Sequence, residues 1–567
     1  MINKNSLSVS NTRLKLLSIV IPVIVFFIVI RLFYWQIIRG PKLSSAANRQ
    51  HQEVVVLNSH RGSIFDINGD ILAGTKILYH LYAYKPQFEG DSSKYLSALS
   101  AFLTAPEEAT SSTRQYLTDR LNLTTNWVSL KHYLTNEQKE LIEKEGLLGI
   151  GFEEEPVRFY PEASMSAHIL GFVGSDLSGE PMGYFGLEGF FDRQLRGREG
   201  KLLAEKDAFG KPILIGKYNL LKNVSGRSIY TTIDKSKQYL IEKTLLEGIS
   251  KYQAKAGNVI LMETSTGKIV SIAAFPNYDP GNFQDFDKTS YKNPNVANLF
   301  EPGSIFKILV MAAGLNEGVI NQEMTCDICK GPLNIGQFTI KTWDETYRPD
   351  SSMVDVLVHS DNIGMVFISR KLGRDKFIEY LKKLNLGKLT GIELQEEVTG
   401  KLKEGSEFRD IDLATQSFGQ GIAITPIQMI AAANTIANKG IYISPSIIDH
   451  YESQDKIIYP SPPEKKIVFS ENSARLTQEM MVETISRGEA KWAKPKGFSA
   501  AGKTGTAQIP IQGHYDPDKT ITSFIGFFPA ENPKYTMLVS LTQPQTSQWG
   551  SETAAPLWFS LATKLSL

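Results

Sequence analysis

The most apolar segment of the chain lies near its start, where the residues from Leu14 to Ile38 are almost all hydrophobic. A helix of this length is long enough to cross a lipid bilayer, and the aromatic cluster Phe33-Tyr34-Trp35 suits a membrane interface. A cleaved signal peptide is the alternative, with Ser45-Ala46-Ala47 as its small-residue site. Because that site lies far beyond the apolar run, the pattern predicts an uncleaved transmembrane helix over residues 14–38.

Short segments of alternating hydrophobic and polar residues follow, up to about residue 225. Arg61–Ala73 predicts two strands joined by a turn at Asn68-Gly69, and Asn136–Glu145 predicts a polar helix. Since this region holds no plausible pair of nucleophile and base, we interpret residues 39–225 as a scaffold domain.

A second domain is predicted over residues 226–567. A helix pattern opens at Thr231-Thr232-Ile233-Asp234 and runs through Tyr252. Two strand patterns then flank a polar turn, as expected for a hairpin. The hairpin strands, the later helices and the late strands are predicted at Gly257–Glu263, Lys268–Ala274, Ser304–Asn316, Arg374–Leu384, Thr425–Ala437, Ile521–Phe528 and Tyr535–Thr542. Strands at both ends with helices between them predict an antiparallel sheet covered by helices, which is an α+β fold.

The composition indicates the size of the protein and its net charge. The chain has 567 residues with 42% hydrophobic side chains, enough for more than one domain with a sizeable core. Its formal charge is +1, from 61 basic and 60 acidic residues. This balance gives no indication of a nucleic acid or another polyanion as partner.

The only cysteines are Cys326 and Cys329. A single C-x-x-C pair lacks the four ligands of a structural zinc site. Two interpretations stay open, a local disulfide if the domain lies outside the cell or two ordinary core thiols. Neither gives the pair a catalytic role.

The candidate chemistry lies in Glu301-Pro302-Gly303-Ser304-Ile305-Phe306-Lys307, which precedes a wholly apolar run. A turn at Pro302-Gly303 would place Ser304 at the start of a buried helix, with Lys307 about one turn later on the same face. A neutral lysine amine can take the proton of a serine hydroxyl if burial and nearby positive charge lower its pKa. The positive end of the helix would also favour a developing oxyanion. Alone, S-x-x-K is a weak signal, since a capping serine and a solvated lysine give the same pattern.

Two further motifs strengthen this interpretation. Ser360-Asp361-Asn362 follows the serine–lysine pair, and Lys503-Thr504-Gly505-Thr506 lies near the C-terminus. S-x-x-K, S-D-N and K-T-G in this order are the signature of active-site serine enzymes that recognise penicillin. Three short motifs in the right order arise by chance far less often than one.

With these motifs, the chain resembles the class B penicillin-binding proteins, which are membrane-anchored peptidoglycan D,D-transpeptidases with a pedestal and a penicillin-binding domain. The resemblance runs almost from end to end and includes Arg61–Ala73, Arg158-Phe159-Tyr160-Pro161 and Gly186-Leu187-Glu188-Gly189. Ser417–Ile422 and Lys503–Gln508 resemble the division-specific branch, of the FtsI or penicillin-binding protein 3 type, more than the elongation branch.

The resemblance implies a role for each motif residue. Ser304 would form an acyl-enzyme with release of D-alanine, Lys307 would be its base, and Ser360 would pass a proton to the leaving amine. Asn362 and Lys503-Thr504-Gly505-Thr506 would bind the substrate. The backbone N–H groups of Ser304 and Thr506 would form the oxyanion hole.

The resemblance also implies the setting of the protein. A cytoplasmic tail would occupy residues 1–13, an elongated pedestal or dimerisation domain residues 39–225, and the transpeptidase domain residues 226–567. The protein would cross the cell membrane once, with its catalytic domain outside the cytoplasm. Its implied partners are peptidoglycan stem peptides, lipid-linked glycan strands, β-lactams, a SEDS-type glycan polymerase and membrane proteins of the division complex. No metal, organic cofactor or nucleic acid is implied.

Four other functions are weighed against this one. A β-lactamase would share the nucleophile, but no E-x-x-L-N motif follows S-D-N to supply a base for deacylation. A D,D-carboxypeptidase would use the same residues with water as acceptor, and an elongation-type transpeptidase would differ in its cellular role. A non-enzymatic β-lactam sensor or division scaffold is the alternative of a different class. The intact Lys307, Ser360 and Lys503 favour an enzyme.

Overall fold

The computed structural model describes residues 5–44, 52–89, 92–103, 110–205, 219–454, 456–511 and 514–566. Contacts within the chain divide it into two compact units, one of residues 1–59 and 197–225 and the other of residues 60–196 and 226–567. The S-x-x-K, S-D-N and K-T-G motifs of the sequence all lie in the second unit.

The first unit contains the apolar N-terminal helix and a small sheet. The helix runs over Asn5–Phe33 and continues as a π-helix over Tyr34–Ile38. The part over residues 12–38 reaches a mean hydropathy of 2.9 and is not buried. The predicted helix is therefore confirmed, and its length and composition are sufficient to cross a membrane. The sheet has three antiparallel strands, in the order Gln52–Leu57, Gly200–Glu205 and Asn219–Leu221.

The second unit begins with a sheet of seven strands. The predicted strand-turn-strand segment forms Ile64–Phe65 and Ile71–Tyr84, and the second strand continues well beyond its predicted end at Ala73. The predicted polar helix runs over Asn136–Lys144, where Thr135 forms a capping box. The strand order of the sheet is Lys456–Ile458, Ile448–Ser453, Ser228–Thr231, Ile64–Phe65, Ile71–Tyr84 and Trp127–Leu134, with Ile150–Phe159 also paired to Ile71–Tyr84.

Three stretches that carry the family resemblance in this region meet in one buried ion cluster. The Nε of Arg61 donates to Oε2 of Glu188 at 2.7 Å, and Nε of Arg158 donates to Oε1 of the same carboxylate at 2.5 Å. Nη1 of Arg61 also donates to Asp192 at 2.8 Å. Removal of one partner would leave an uncompensated buried charge. The four side chains therefore stabilise the fold only as a group.

A five-stranded antiparallel sheet forms the centre of the second unit. The predicted hairpin forms Ala256–Glu263 and Ile269–Phe275. The K-T-G motif lies on the edge strand Ala501–Ile511. The strand order is Ile269–Phe275, Ala256–Glu263, Tyr535–Thr542, His514–Phe528 and Ala501–Ile511.

The strands of this sheet carry apolar side chains on both faces. Helices cover both faces and bury these side chains. Val259 and Leu261 pack in one core with the helices Lys235–Tyr252 and Ala554–Leu565. Ile260 and Met262 alternate with them and belong to the opposite core. That opposite core contains the apolar helix Lys307–Asn316. The predicted α+β class with a helix-covered antiparallel sheet is confirmed.

The remaining elements are mostly short and surround this centre. Two predicted helices are found at Arg374–Lys383 and Pro426–Ala437. The other α-helices are Ser92–Leu103, Thr110–Leu121, Ala167–Leu170, Gly186–Phe190, Asp192–Arg196, Pro294–Ala297, Met353–Val358, Asn362–Leu372, Asp410–Ser417 and Glu471–Arg487. Short strand pairs are Phe172–Ser175 with Pro181–Tyr184, Leu333–Ile335 with Phe338–Ile340, and Ile441–Ile443 with Lys465–Ile467.

Cys326 and Cys329 form a disulfide, which is one of the two interpretations that the sequence left open. Both cysteines are buried, and the backbone N–H of Cys326 donates to the carbonyl oxygen of Ser351 at 2.9 Å. The pair therefore anchors a loop next to the helix Met353–Val358, which precedes the S-D-N motif.

Candidate active site

Ser304 lies in a single turn of 3-10 helix, Gly303–Phe306, that leads directly into the helix Lys307–Asn316. The backbone N–H of Lys307 donates to the carbonyl oxygen of Ser304, so the two residues are one turn apart, as predicted. Ser304 is partly exposed, whereas Ile305 and Phe306 are fully buried in the core. The buried neighbours hold the turn in place, while Ser304 itself stays partly exposed.

The amine of Lys307 is fully buried and points at the S-D-N motif. Its Nζ donates to the carbonyl oxygen of Ser360 at 2.5 Å and to Oδ1 of Asn362 at 2.8 Å, and it lies 3.2 Å from Oγ of Ser360. The two motifs, far apart in sequence, therefore meet at this nitrogen.

The S-D-N motif lies between two helices. Ser360 has a left-handed backbone with φ of +56°, which turns the chain between Met353–Val358 and Asn362–Leu372. Asp361 caps the second helix, since its Oδ1 accepts from the backbone N–H of Ile363 at 2.8 Å. The cap fixes the start of this helix directly after Ser360.

The edge strand Ala501–Ile511 approaches the Ser304 turn closely at its K-T-G motif. A Cβ on Gly505 would lie 2.9 Å from Cγ2 of Ile305 and 3.4 Å from the carbonyl oxygen of Pro302, so only glycine fits without displacement. Thr504 and Thr506 are partly exposed, and Oγ1 of Thr506 accepts from the backbone N–H of Gly550 at 3.0 Å.

Two buried lysines make the site electropositive. Burial lowers the pKa of Lys307 well below its ordinary value, and the charge of Lys503 lowers it further, against the opposing carboxylates of Asp361 and Glu489. Burial also lowers the pKa of Lys503 to about 8, opposed by Glu489. The lowered pKa shifts Lys307 toward its neutral form, beside a lysine with a pKa of about 8.

The structure thus brings the eight predicted site residues into one region of the second unit. Ser304, Lys307, Ser360 and Asn362 form one side, and the strand with Lys503–Thr506 forms the other. No three His, Cys, Asp or Glu side chains group as a metal site within the described ranges. A nucleophile, a buried amine and a polar strand together suit acyl transfer through a covalent intermediate.

Comparison with known proteins identifies the family. The penicillin binding protein transpeptidase domain matches residues 257–562, and the penicillin-binding protein dimerisation domain matches residues 56–231. Stage V sporulation protein D of Bacillus subtilis is 30% identical over 96% of this chain and 84% of its own length. The chain belongs to the class B penicillin-binding proteins.

Other relatives agree with this assignment. The peptidoglycan D,D-transpeptidase FtsI of Escherichia coli K12 is 27% identical to this penicillin-binding protein over 94% of this chain and 87% of the relative. Penicillin binding protein 2X of Streptococcus thermophilus shares the fold, with a TM-score of 0.77 at 23% identity, over 91% of this chain and 80% of that one. The chain is therefore an enzyme of the penicillin-binding transpeptidase type.

An aromatic pair near the site of this penicillin-binding protein was not predicted from the sequence. The rings of Trp343 and Trp549 lie 5.1 Å apart, edge to face, and both residues are exposed. Nε1 of Trp343 donates to the carbonyl oxygen of His359, next to Ser360, at 3.0 Å. Trp549 directly precedes Gly550, the residue bonded to Thr506. No local pattern in the sequence links two tryptophans so far apart.

Gly419 supports the Ser304 turn from outside, and its substitution gives a testable result. The backbone N–H of Gly303 donates to the carbonyl oxygen of Gly419 at 3.0 Å. Gly419 has φ of +82°, and a Cβ there would lie 2.2 Å from the carbonyl oxygen of Gly303. We expect Gly419→Ala to destabilise the protein by roughly 2 to 4 kcal/mol, from backbone strain and a steric clash together, and to slow penicillin labelling.

The matched control is Gly405→Ala. Gly405 also has a positive φ, +54°, but nothing lies within 4 Å of the Cβ position. The control should cost only about 1 kcal/mol and leave the labelling rate unchanged. Thermal unfolding and the rate of fluorescent penicillin labelling check both variants. Equal effects of the two substitutions would show that Gly419 does not support the Ser304 turn.

Proposed function

We propose that this penicillin-binding protein cross-links peptidoglycan stem peptides through an acyl-enzyme on Ser304. The observation that carries the proposal is the buried amine of Lys307, held between Ser360 and Asn362 one turn after a partly exposed serine. Burial and a second lysine both lower the pKa of this amine, as a general base for a serine hydroxyl requires.

The acylation step uses the residues around this amine. Oγ of Ser304 attacks the carbonyl carbon between the two D-alanines of a stem peptide, and the neutral amine of Lys307 takes the hydroxyl proton. The peptide C–N bond then breaks. The proton passes through the hydroxyl of Ser360 to the leaving nitrogen, so that D-alanine departs as a neutral amine. The product is an ester between Ser304 and the remaining stem peptide.

Deacylation restores the enzyme. An amine of a second stem peptide attacks the ester carbonyl, the ester C–O bond breaks, and the proton that the amine loses passes to Oγ of Ser304. The new amide links two stem peptides. A β-lactam enters by the same attack on its ring amide. It stays attached because its leaving nitrogen remains part of the opened ring and is not released.

Binding of the substrate is assigned mainly to the strand with Lys503–Thr506, which forms the other side of the site. The ammonium of Lys503 supplies a positive field, and the hydroxyls of Thr504 and Thr506 suit a terminal carboxylate. Asn362 would hold the substrate amide. The close approach at Gly505 supports an oxyanion hole made by the N–H groups of Ser304 and Thr506, since it lets the strand lie against the Ser304 turn.

The setting in the cell is also a proposal. An apolar helix long enough to span a bilayer supports a single-pass membrane anchor at residues 14–38, with a short cytoplasmic tail at 1–13. The catalytic domain would lie outside the cytoplasm, where peptidoglycan is assembled. We place the pedestal at residues 39–225 and the transpeptidase domain at residues 226–567. The matched profiles, at 56–231 and 257–562, support this division.

A septal role is supported by the FtsI proteins of two Escherichia coli strains among the relatives. Within that role, lipid-linked glycan strands would supply the substrate. A SEDS-type glycan polymerase and membrane proteins of the division complex would be the partners. An elongation-type transpeptidase and a D,D-carboxypeptidase use the same chemistry and are the alternatives.

The choice between transfer to an amine and hydrolysis can be measured directly. The purified full chain in detergent is incubated with a stem pentapeptide donor and an amino-acid or peptide amine as acceptor. We expect release of D-alanine and a new amide product whose yield rises with acceptor concentration, since the acyl-enzyme partitions between amine and water. Release of D-alanine with only a tetrapeptide product would identify a carboxypeptidase. No D-alanine release from any peptide donor would contradict the proposed function.

A further inference from the structure

Glu301 lies at the start of the nucleophile turn, three residues before Ser304, and two other segments hold its carboxylate. The backbone N–H of Gly421 donates to Oε1 at 3.0 Å. The hydroxyl of Tyr515 donates to Oε2 at 3.0 Å and lies 3.3 Å from Oε1. Glu301 is partly exposed, and Tyr515 is 44% exposed. The carboxylate is therefore held in a fixed position that solvent and ligands can reach, close in sequence to the nucleophile.

Among the described residues, this carboxylate has no cationic partner. Both of its hydrogen-bond donors are uncharged, and no lysine, arginine or histidine nitrogen of the described residues lies within 4.0 Å of it. Partial burial raises the pKa of Glu301, and the two hydrogen bonds oppose that rise because they stabilise the charged form. A carboxylate offers about four acceptor positions, so the group can accept further hydrogen bonds from a ligand.

Tyr515 connects this carboxylate to the far end of the K-T-G strand, Ala501–Ile511. It pairs with Pro510, which lies four residues beyond Thr506, or about 13 Å along an extended chain. Ala501–Ile511 is the last strand of its sheet, so its outer edge has no neighbouring strand in the described sheet. An extended peptide can add to such an edge as a further strand.

The contacts of the strand indicate the direction of a bound stem peptide. At the first end of the strand, the helix Glu471–Arg487 bonds to the carbonyl oxygen of Gly502 through a threonine hydroxyl and occupies that end. The proposed function places the terminal carboxylate of the donor at Thr504 and Thr506. The rest of an extended donor would then run toward Pro510, antiparallel to the strand, and its side chains would approach the carboxylate beside Tyr515.

We propose that Glu301 is a specificity-determining residue that binds the ammonium of an amine-bearing side chain on the donor stem peptide. Cross-linking uses an amine of one stem peptide as acceptor, and a donor of the same composition carries the same amine. The cationic form of Lys503 repels an ammonium, whereas a carboxylate without a cationic partner forms a strong charge-assisted hydrogen bond with it. This inference rests on the proposed function, because the ligand is the donor substrate of that reaction.

The test compares two pentapeptide donors that end in D-alanyl-D-alanine, one with lysine before the two D-alanines and one with Nε-acetyl-lysine there. D-alanine release by the full-length protein in detergent gives kcat/KM for each donor. We expect the wild type to prefer the free amine by about tenfold or more, as a hydrogen bond between charged groups allows. Glu301→Gln should lower this preference to about twofold or less, through a higher KM for the lysine donor alone.

Two measurements separate this role from a merely structural one. Acylation of Glu301→Gln by benzylpenicillin, whose side chain is uncharged, should stay within about twofold of wild type, because the amide oxygen can still accept from Gly421. Glu404→Gln is the matched control. It removes an exposed glutamate that is paired with Lys382, and it should keep the full preference for the free amine.

Three results would overturn the inference. They are equal rates for the two donors in wild type, an undiminished preference in a folded Glu301→Gln protein, and a loss of benzylpenicillin acylation as large as the loss for the lysine donor. An undiminished donor preference with a higher KM for an added acceptor amine would assign the carboxylate to the acceptor strand instead. The proposed function survives each of these results, because the wild type still releases D-alanine. A wild type that releases none from either donor would contradict both.

Discussion

Replacement of Ser304 by alanine is expected to abolish turnover of peptide donors and the formation of a penicillin adduct. The hydroxyl belongs to a partly exposed serine one helical turn before Lys307, whose amine is buried. Loss of the nucleophile from a serine enzyme lowers the catalytic rate by a factor on the order of 10⁶, which here means background. The small change in volume should leave the turn intact, since its neighbours Ile305 and Phe306 hold it in the core.

The control variant for this prediction is Ser369→Ala. Ser369 is fully buried on the helix Asn362–Leu372, and its hydroxyl donates only to the carbonyl oxygen of Val366 in the same helix. This variant should keep its activity and lose at most a little stability. D-alanine release from a pentapeptide, followed at equal protein concentration, measures both variants. Turnover by Ser304→Ala above background would rule out the acyl-enzyme on this residue.

Replacement of Lys307 by arginine should also prevent acylation, although it keeps the positive charge. A guanidinium stays protonated at every pH at which the protein is folded, so it cannot accept the proton of Ser304. The amine is held 2.8 Å from Oδ1 of Asn362 in a fully buried site, and no other amine contacts Ser360 in the described residues. We expect a fall in the acylation rate of about 10³-fold or more.

Lys503→Arg is the matched variant, because Lys503 is assigned a charge and not a proton transfer. It should retain a measurable fraction of the acylation rate, roughly 1 to 10%, since a guanidinium also binds a carboxylate. Both arginines are larger than the residue they replace, so the melting temperature of each protein has to be compared with wild type. If the two variants acylated at similar rates, Lys307 would be a charge partner and not the base.

The parts of the site that follow from local geometry could be predicted from the sequence. Ser304 and Lys307 are three residues apart, and the periodicity of a helix alone puts them on one face. The hairpin at Ala256–Phe275 could be predicted equally well, because strand alternation and turn residues are local signals. The meeting of Lys307 with Ser360 and Asn362 was expected only through the family resemblance, since the two segments meet through tertiary packing.

Several elements near the site could not be predicted because their buried faces are not apolar. The helix Glu471–Arg487 buries Thr477 and Thr484 next to Met480 and Met481, so its hydrophobic periodicity is diluted. The edge strand Ala501–Ile511 buries a lysine and glycines where a strand pattern requires apolar residues. On the helix, Thr484 donates to the carbonyl oxygen of Gly502, and on the strand the buried lysine is Lys503 of the K-T-G motif.

The central claim, covalent catalysis by Ser304, is tested most directly by the mass of the intact protein after incubation with a labelled penicillin. We predict a single adduct of one penicillin per chain, and proteolysis should map it to the peptide that contains Ser304. The adduct should be absent from Ser304→Ala treated in the same way. An unmodified wild-type protein, or an adduct that maps to another residue, would contradict the assignment of the active site.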